Sequence, residues 1–197
     1  ILLGTQMIAK GLDYPNITLV GVLNADTMLN LPDFRASERT YQLLTQVAGR
    51  AGRHDKPGRV IIQTYNPEHY AIEDVQKNDY LTFYQKEMEF RKIGKYPPYY
   101  FLINFTISHK NMKKVMEASK HIHQILLQHL TDRALVLGPS PAAIARINNE
   151  HRFQILVKYK SEPELLKALQ FLDDYYHEAY IKDKLSLKID INPQILM

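Results

Sequence analysis

The chain has 197 residues, with 25 Lys/Arg, 21 Asp/Glu and no cysteine. Hydrophobic residues make up 45% and charged residues 23%, the mix of an ordinary soluble globular protein, which excludes a disordered tail, a fibre and a coiled coil. No apolar run approaches the roughly 18 residues of a membrane helix. The lack of cysteine excludes a disulfide scaffold and cysteine-ligated zinc within this chain, and it fits a reducing compartment. The charge of +4 is unevenly placed: residues 1–92 hold 11 basic and 11 acidic side chains, residues 93–197 hold 14 and 10. The second half carries the excess, which suits either a solvated surface or a weak phosphate-facing patch.

Ile1-Leu2-Leu3-Gly4-Thr5 reads as the tail of a buried strand, so the chain is expected to be a piece of a longer protein. A short helical turn is expected over 6–10, broken by Gly11 to Asn16. The near-continuous apolar run Ile17 to Leu23 predicts a strand buried on both faces of a parallel sheet. Asn30 to Arg35 reads as a loop. Ser37 with Glu38 opens a helix carrying Tyr41, Leu44 and Val47 at helical spacing and ending near Gly49 to Gly52. After a Lys56-Pro57-Gly58 turn, Arg59 to Tyr65 is a second strand. Alternating strands and helices make the first half a partial, doubly wound α/β piece.

Residues 66–95 read as amphipathic helix, with Tyr80, Phe83, Tyr84, Met88 and Phe90 supplying aromatic bulk. The Gly94-Lys95-Tyr96-Pro97-Pro98 break places a domain boundary, giving domains 1–95 and 96–197. Beyond it come a strand over Tyr99–Ser108, a helix over Lys113–Leu130 and a short strand over Ala134–Leu137. The Gly138-Pro139-Ser140-Pro141 turn follows, then a strand over Phe153–Lys160 and a helix over Ser161–His177. That helix starts with Ser161 and Glu164 at capping-box spacing. A last strand spans Leu185–Ile191. The order β-α-β-β-α-β predicts a small α+β, split βαβ domain.

Two segments carry chemistry. In Gly4-Thr5-…-Lys10-Gly11-Leu12-Asp13, a glycine turn at a strand end leaves backbone N–H groups open, and Asp13 can accept from a sugar hydroxyl. In Gln46-Val47-Ala48-Gly49-Arg50-Ala51-Gly52-Arg53, two arginines three residues apart are expected on one helical face. Two glycines sit beside them where helix propensity opposes them, which points to backbone approaching another surface. The arginine fork suits phosphate oxygens. A frayed helix end with arginines in water is the plainer reading. His121 and His123, with His109 and His129 nearby, do not make a metal site, because residues two apart on a helix face different ways.

These segments resemble motifs V and VI of the superfamily 2 helicases, T-x4-R/K-G-x-D and Q-x-x-G-R-x-G-R. With Asp26, the Leu31 to Arg39 stretch, the Gly94 to Pro98 break and Leu137 to Ala142, nearly the whole chain is similar to the C-terminal part of bacterial replication-restart helicases, the primosomal protein N′ family. The resemblance implies a partial RecA-like lobe followed by a C-terminal module. Arg50 and Arg53 would face a γ-phosphate as arginine fingers, with Gln46 sensing it. Gly11 and Asp13 would border the ribose, and Thr5 and Lys10 would lie toward DNA. Lys10 stands where many relatives carry Arg. ATP and Mg²⁺ would be used by the full-length parent, whose phosphate loop, acidic box and zinc module lie upstream, so this chain alone is expected to be inactive. The C-terminal module would bind branched or forked DNA, single-stranded-DNA-binding protein and other primosome proteins in the cytoplasm, with no membrane role. Its expected DNA contact is Arg152, with Lys110, Lys113, Lys114, Arg146, Lys158 and Lys160 as further phosphate contacts. The alternatives are a non-catalytic nucleic-acid or protein-docking module on a RecA-like scaffold, and another ATP-driven translocase.

Overall fold

The computed structural model describes residues 1–5, 17–52 and 57–196, with the backbone alone over 178–181. The chain divides into two compact units, Ile1–Phe90 and Arg91–Met197, and the Gly94 to Pro98 break lies just inside the second. Both expected architectures are present: a parallel α/β unit comes first and a split βαβ unit follows.

In the first unit, β1 (Leu19–Val22) pairs in parallel with β2 (Arg59–Ile62), Leu19 opposite Arg59 and Val22 opposite Ile62. Their connection carries α1 (Asp26–Leu29) and α2 (Ala36–Ala48), the crossover that a parallel pair demands. Val22 and Ile62 pack on Ala25, Leu44 and Ile72, while Leu19 and Ile61 on the other face are exposed. The apolar run predicts burial on both faces; among the described residues of this unit, only one face is covered. Ile1, Leu2 and Leu3, expected as the tail of a buried strand, are also exposed and form no ladder. A short apolar segment becomes strand only where an edge offers it paired backbone groups, and no described edge does so here.

Asp26 ties α1 to the chain leaving β2. Its carboxylate accepts from the Tyr65 amide at 3.0 Å and the Thr64 hydroxyl at 2.8 Å. These bonds, the Tyr65 amide foremost, hold the carboxyl below its ordinary pKa against the opposing effect of burial. The Pro32 to Arg39 stretch is a helix entry. Asp33 Oδ1 accepts the Arg35 amide at 2.8 Å, and its Oδ2 lies 3.4 Å from Arg39. α2 therefore begins at Ala36, one residue before the expected Ser37, because Asp33 supplies the local acceptor.

Residues 66–95 form two helices, α3 (Tyr70–Gln76) and α4 (Tyr80–Ile93). Asn78 at φ 52° breaks the run, and Asp79 opens α4 by accepting the Thr82 amide at 3.0 Å and hydroxyl at 2.6 Å. Phe83 is buried, stacked 4.0 Å from Tyr41, whereas Tyr80, Tyr84 and Phe90 are exposed. Polar links fasten the pair instead: Lys86 Nζ reaches the buried Asp74 at 2.9 Å, and Tyr70 donates to the buried Glu87 at 2.7 Å.

The second unit runs β3 (Phe101–His109), α5 (Met112–His129), β4 (Ala134–Ile147), β5 (Glu150–Tyr159), α6 (Leu165–Asp183) and β6 (Ser186–Ile191). The strands lie in the order β4-β5-β3-β6, every pair antiparallel. Ile103, Phe105 and Ile107 of β3 join Phe153, Ile155 and Val157 of β5 on one face. They bury Val115, Ile122 and Leu126 of α5 and Leu172 of α6. By strand alternation, residues 102, 104, 106 and 108 take the opposite face.

Two expectations change here. The Gly138 to Pro141 segment does not end the strand. β4 absorbs it as irregular pairing, with Gly138 at φ 105°, and runs on to Ile147. The reversal comes at Asn148-Asn149, both at positive φ, the two-residue hairpin form. Nor does Ser161 cap α6. Glu162 does so, accepting the Glu164 amide at 3.3 Å and the Thr131 hydroxyl at 2.8 Å. A buried glutamate serves two elements at once, which the exposed Ser161 cannot.

Lys158 is 5% exposed, its Nζ donating to the Gly94 carbonyl at 2.8 Å and lying 3.4 Å from the Tyr96 ring centre. Burial first, and the charge of Lys95 second, push its pKa down to about 8. The unfolded chain then binds the extra proton between about pH 8 and 10.5, so stability rises with pH across that window. Tyr176, pushed up to about 12 by burial, acts oppositely above about pH 10. Urea midpoints for this unit should therefore climb from about pH 8 to 9.5. Lys158→Met should flatten that climb; an unchanged slope in the variant would discount Lys158 as its source.

Candidate functional site

α2 ends at Ala48, and Gly49 follows with a helical φ of −67°. The chain then tightens: the amides of Arg50 and Ala51 donate to the carbonyls of Val47 and Ala48 at 3.0 and 3.2 Å. Gly52, at φ 71°, closes the turn. Its amide donates to the Ile17 carbonyl at 3.1 Å, at the entry to β1, and the Arg59 amide donates to Thr18 at 2.8 Å. A Cβ on Gly58 would collide with the backbone of Ala51 and Gly52. The end of α2 is thereby held at the edge where β1 and β2 begin. Gln46 is exposed on the last helical turn, and Arg50 is half-buried four residues later, two residues before the Gly52 link to β1.

Arg50 lies beyond the end of the helix at Ala48, and Gly52 takes a left-handed conformation, so Arg50 is not on the expected helical face. Thr5 is an exposed residue in a bend. Lys10, Gly11, Asp13 and Arg53 lie outside the described residues, as does the turn expected over 6–16. Of the expected nucleotide-facing residues, only Gln46 and Arg50 fall among the described ones. The two described motif glycines differ physically. Gly52 needs its positive φ, whereas a Cβ on Gly49 would meet only the Thr45 and Gln46 carbonyls at 3.6 and 3.7 Å, ordinary contacts.

In the second unit, most of the expected phosphate contacts on the helices and loops are engaged nearby. Lys114 pairs with Asp183 at 2.7 Å and Lys113 with Glu117 at 3.9 Å. Lys158 is buried, Lys160 lies 5.1 Å from the Tyr100 ring, and Arg146 bonds to Asn149. Arg152 stands on the sheet face away from the helices, half-buried, with one Nη1 bond to the Ile144 carbonyl at 3.3 Å. Around it lies a polar face that sequence reading did not single out, including Asn104, Thr106 and Lys188. Its signal was present: Asn104, Thr106 and Ser108 take every second place in an otherwise apolar strand.

The histidines hold structure. His109 Nε2 donates to the Asp183 carbonyl at 2.8 Å while Nδ1 accepts the Asn111 amide at 2.8 Å, and His121 Nδ1 lies 2.8 Å from the Tyr176 hydroxyl. Among the described residues no three His, Asp or Glu side chains cluster as metal ligands. Among them, too, no helix is long and apolar enough to cross a membrane.

A family model described as the primosomal protein N C-terminal domain matches residues 92–194. The chain is 50% identical over 197 residues to a replication restart protein PriA of Bacillus subtilis (strain 168), covering 100% of this chain and 24% of that protein. A protein of the same name in Synechocystis is 42% identical over 193 residues, 98% of this chain and 23% of the relative. Another in Treponema pallidum is 43% identical over 176 residues, 89% and 27% respectively. The chain thus spans about a quarter of the length of these curated relatives.

The two glycines should respond differently to alanine. Gly52→Ala should destabilise the first unit by about 1–2 kcal/mol, the cost of a left-handed non-glycine residue. Gly49→Ala should leave stability unchanged or raise it by about 0.4–1 kcal/mol. Urea unfolding of both variants measures this, and equal losses would contradict the turn geometry.

Proposed function

The chain belongs to the primosomal protein N C-terminal domain family, and from that membership we propose that it forms part of an ATP-dependent DNA helicase acting in replication restart. What supports this best is the turn after α2, whose Gly52 amide bonds the Ile17 carbonyl and so ties the segment carrying Arg50 to the entry of β1. A side chain that must meet charge developing on a phosphoryl group has to be held in place beforehand. Arg50 and Arg53 act as arginine fingers toward the γ-phosphate, with Gln46 beside them. Gly11 and Asp13 face the ribose, and Thr5 and Lys10 face DNA. Each arginine offers a planar fork of donors suited to the equatorial oxygens.

The residues that hold Mg²⁺ and the phosphate chain belong to other parts of the complete protein, since this sequence has no G-x4-G-K-S/T loop. Zinc bound by cysteine likewise falls to other parts, because this chain has no cysteine. The second unit contributes a DNA contact at Arg152, with forked DNA, single-stranded-DNA-binding protein and other primosome proteins as its partners. Gly49, which the fold does not require, keeps the backbone low where the nucleotide approaches.

The complete protein carrying Arg53→Ala should lose DNA-stimulated ATP turnover by about 10³-fold or more, with Arg50→Ala also impaired and folding intact. The 197-residue chain alone should turn over no ATP. Turnover unaffected in both arginine variants would favour a docking module that keeps the scaffold without the motor. For the second unit, forked-DNA affinity of the chain should fall linearly in log–log terms with salt, and Arg152→Ala should reduce the slope by about 1. Binding indifferent to ionic strength would remove Arg152 from the interface.

A further inference from the structure

The polar face of the second sheet holds a cavity of about 550 Å³ between β3, β5, β6 and the segment that follows β6. Its size is within the roughly 300–1,000 Å³ of small-ligand pockets. Asn192 fixes one end of it: its amide donates to the Leu102 carbonyl at 2.8 Å and its Oδ1 accepts the Leu102 amide at 3.3 Å. The segment after Asn192 supplies an apolar wall, Ile195, while Ile191 borders the cavity with its backbone, its side chain standing opposite Ile103 on the other face.

Asn104 lies at the middle of β3 and is only 7% exposed. Its carboxamide bonds to no described residue, and the surface it retains opens into the cavity. Its polar atoms therefore keep solvent contact at the cavity, where an entering donor or acceptor can take the place of that water. The register sets the charges around it. Lys188 lies opposite Thr106, Asp190 opposite Asn104, and Arg152 opposite Ser108. Asp190 stands 3.5 Å from Lys188 and offsets that cation, while Arg152 forms no ion pair among the described residues, its neighbour across the ladder, Ser108, donating to the Glu150 carboxylate at 3.0 Å.

A bare phosphate is a poor occupant, because Asp190 would repel it and Ile195 would not touch it. A nucleotide matches every feature. Its phosphate needs one cation, its base edge offers donors and acceptors to a carboxamide and a carboxylate, and a base face suits the apolar wall. A paired base cannot reach the floor of such a cavity, since its edge is already bonded and its faces stacked. We propose that this cavity receives one unpaired nucleotide of a single strand, its phosphate against Arg152 and its base edge against Asn104 and Asp190. This rests on the DNA contact assigned to Arg152 above and narrows it from phosphate binding to capture of an unstacked base.

The test uses the 197-residue chain with ¹⁵N-asparagine, a short oligo-dA and a closed dumbbell duplex. Oligo-dA should shift the Asn104 side-chain amide signals and the dumbbell should not. Asn104→Leu should weaken oligo-dA binding about tenfold and leave dumbbell binding unchanged. Asn104→Ala, which leaves the Lys188–Asp190 pair intact, should also weaken oligo-dA binding should the first variant fold poorly. Arg152→Ala should weaken both DNAs. If Arg152→Ala weakens both while the Asn104 signals stay still and the cavity variants bind oligo-dA normally, the cavity proposal is overturned and the wider DNA contact stands. If neither DNA binds, the DNA contact falls, and deoxyadenosine monophosphate decides the cavity: shifted Asn104 signals support it, unmoved ones overturn it.

Discussion

The hydrogen bond from the Gly52 amide to the Ile17 carbonyl is the constraint on which the first unit's chemistry depends. It joins the turn after α2 to the entry of β1, and it forms only because Gly52 takes a positive φ that other residues resist. Gly58 permits the same closure from the other side, where a side chain would strike the Ala51 and Gly52 backbone. The backbone position of Arg50 is thus fixed by the turn. α2 carries that geometry rigidly, since Leu44 and Tyr41 anchor it in two adjoining clusters. Local backbone and core packing therefore converge on the edge where β1 and β2 begin.

Much of this architecture was legible in the residues. The apolar run at Ile17 to Leu23, the periodic Tyr41, Leu44 and Val47, and the β-α-β-β-α-β alternation each translate into an element at about the expected place. The failures share a cause: a local signal lost to a partner distant in sequence. Gly138 to Pro141 has the composition of a turn, yet pairing with Gln154 and Phe153 of β5 carries the strand through it. Ser161 has the spacing of a cap, yet Glu162 bonds Thr131 and the helix entry together. Ile1 to Leu3 are apolar enough for a strand, but sequence does not say whether an edge will receive them.

The candidate site was legible in another sense. Residue types and spacing mark Gln46 to Arg53, while a helical face for Arg50 fails because the helix stops at Ala48. Composition marks chemistry, but conformation decides which atoms can use it. The glycines show this well. Both look alike in the motif, yet Gly52 is required by a dihedral angle and Gly49 by nothing within the described fold.

The same reasoning applied to charge separates the two sides of the second unit. On the helical side and its loops, Lys113, Lys114 and Lys167 each face a carboxylate, from Glu117, Asp183 and Glu164. Such exposed pairs add little stability, but they leave little net field for a polyanion. On the sheet side, Lys188 has its own carboxylate in Asp190, and Arg152 has only a carbonyl. The surplus of basic residues in the second half therefore bears on function through where pairing leaves it unneutralised. Along β3 the same face passes from Leu102, fully buried beside the Asn192 clamp, to Asn104, Thr106 and Ser108. An apolar residue at 104 would extend the buried end of that strand without any cost in unbonded polar atoms. An amide there, deep and facing a cavity edged by Arg152, is what a sheet surface needs if it is to distinguish one small polar ligand from a passing anion.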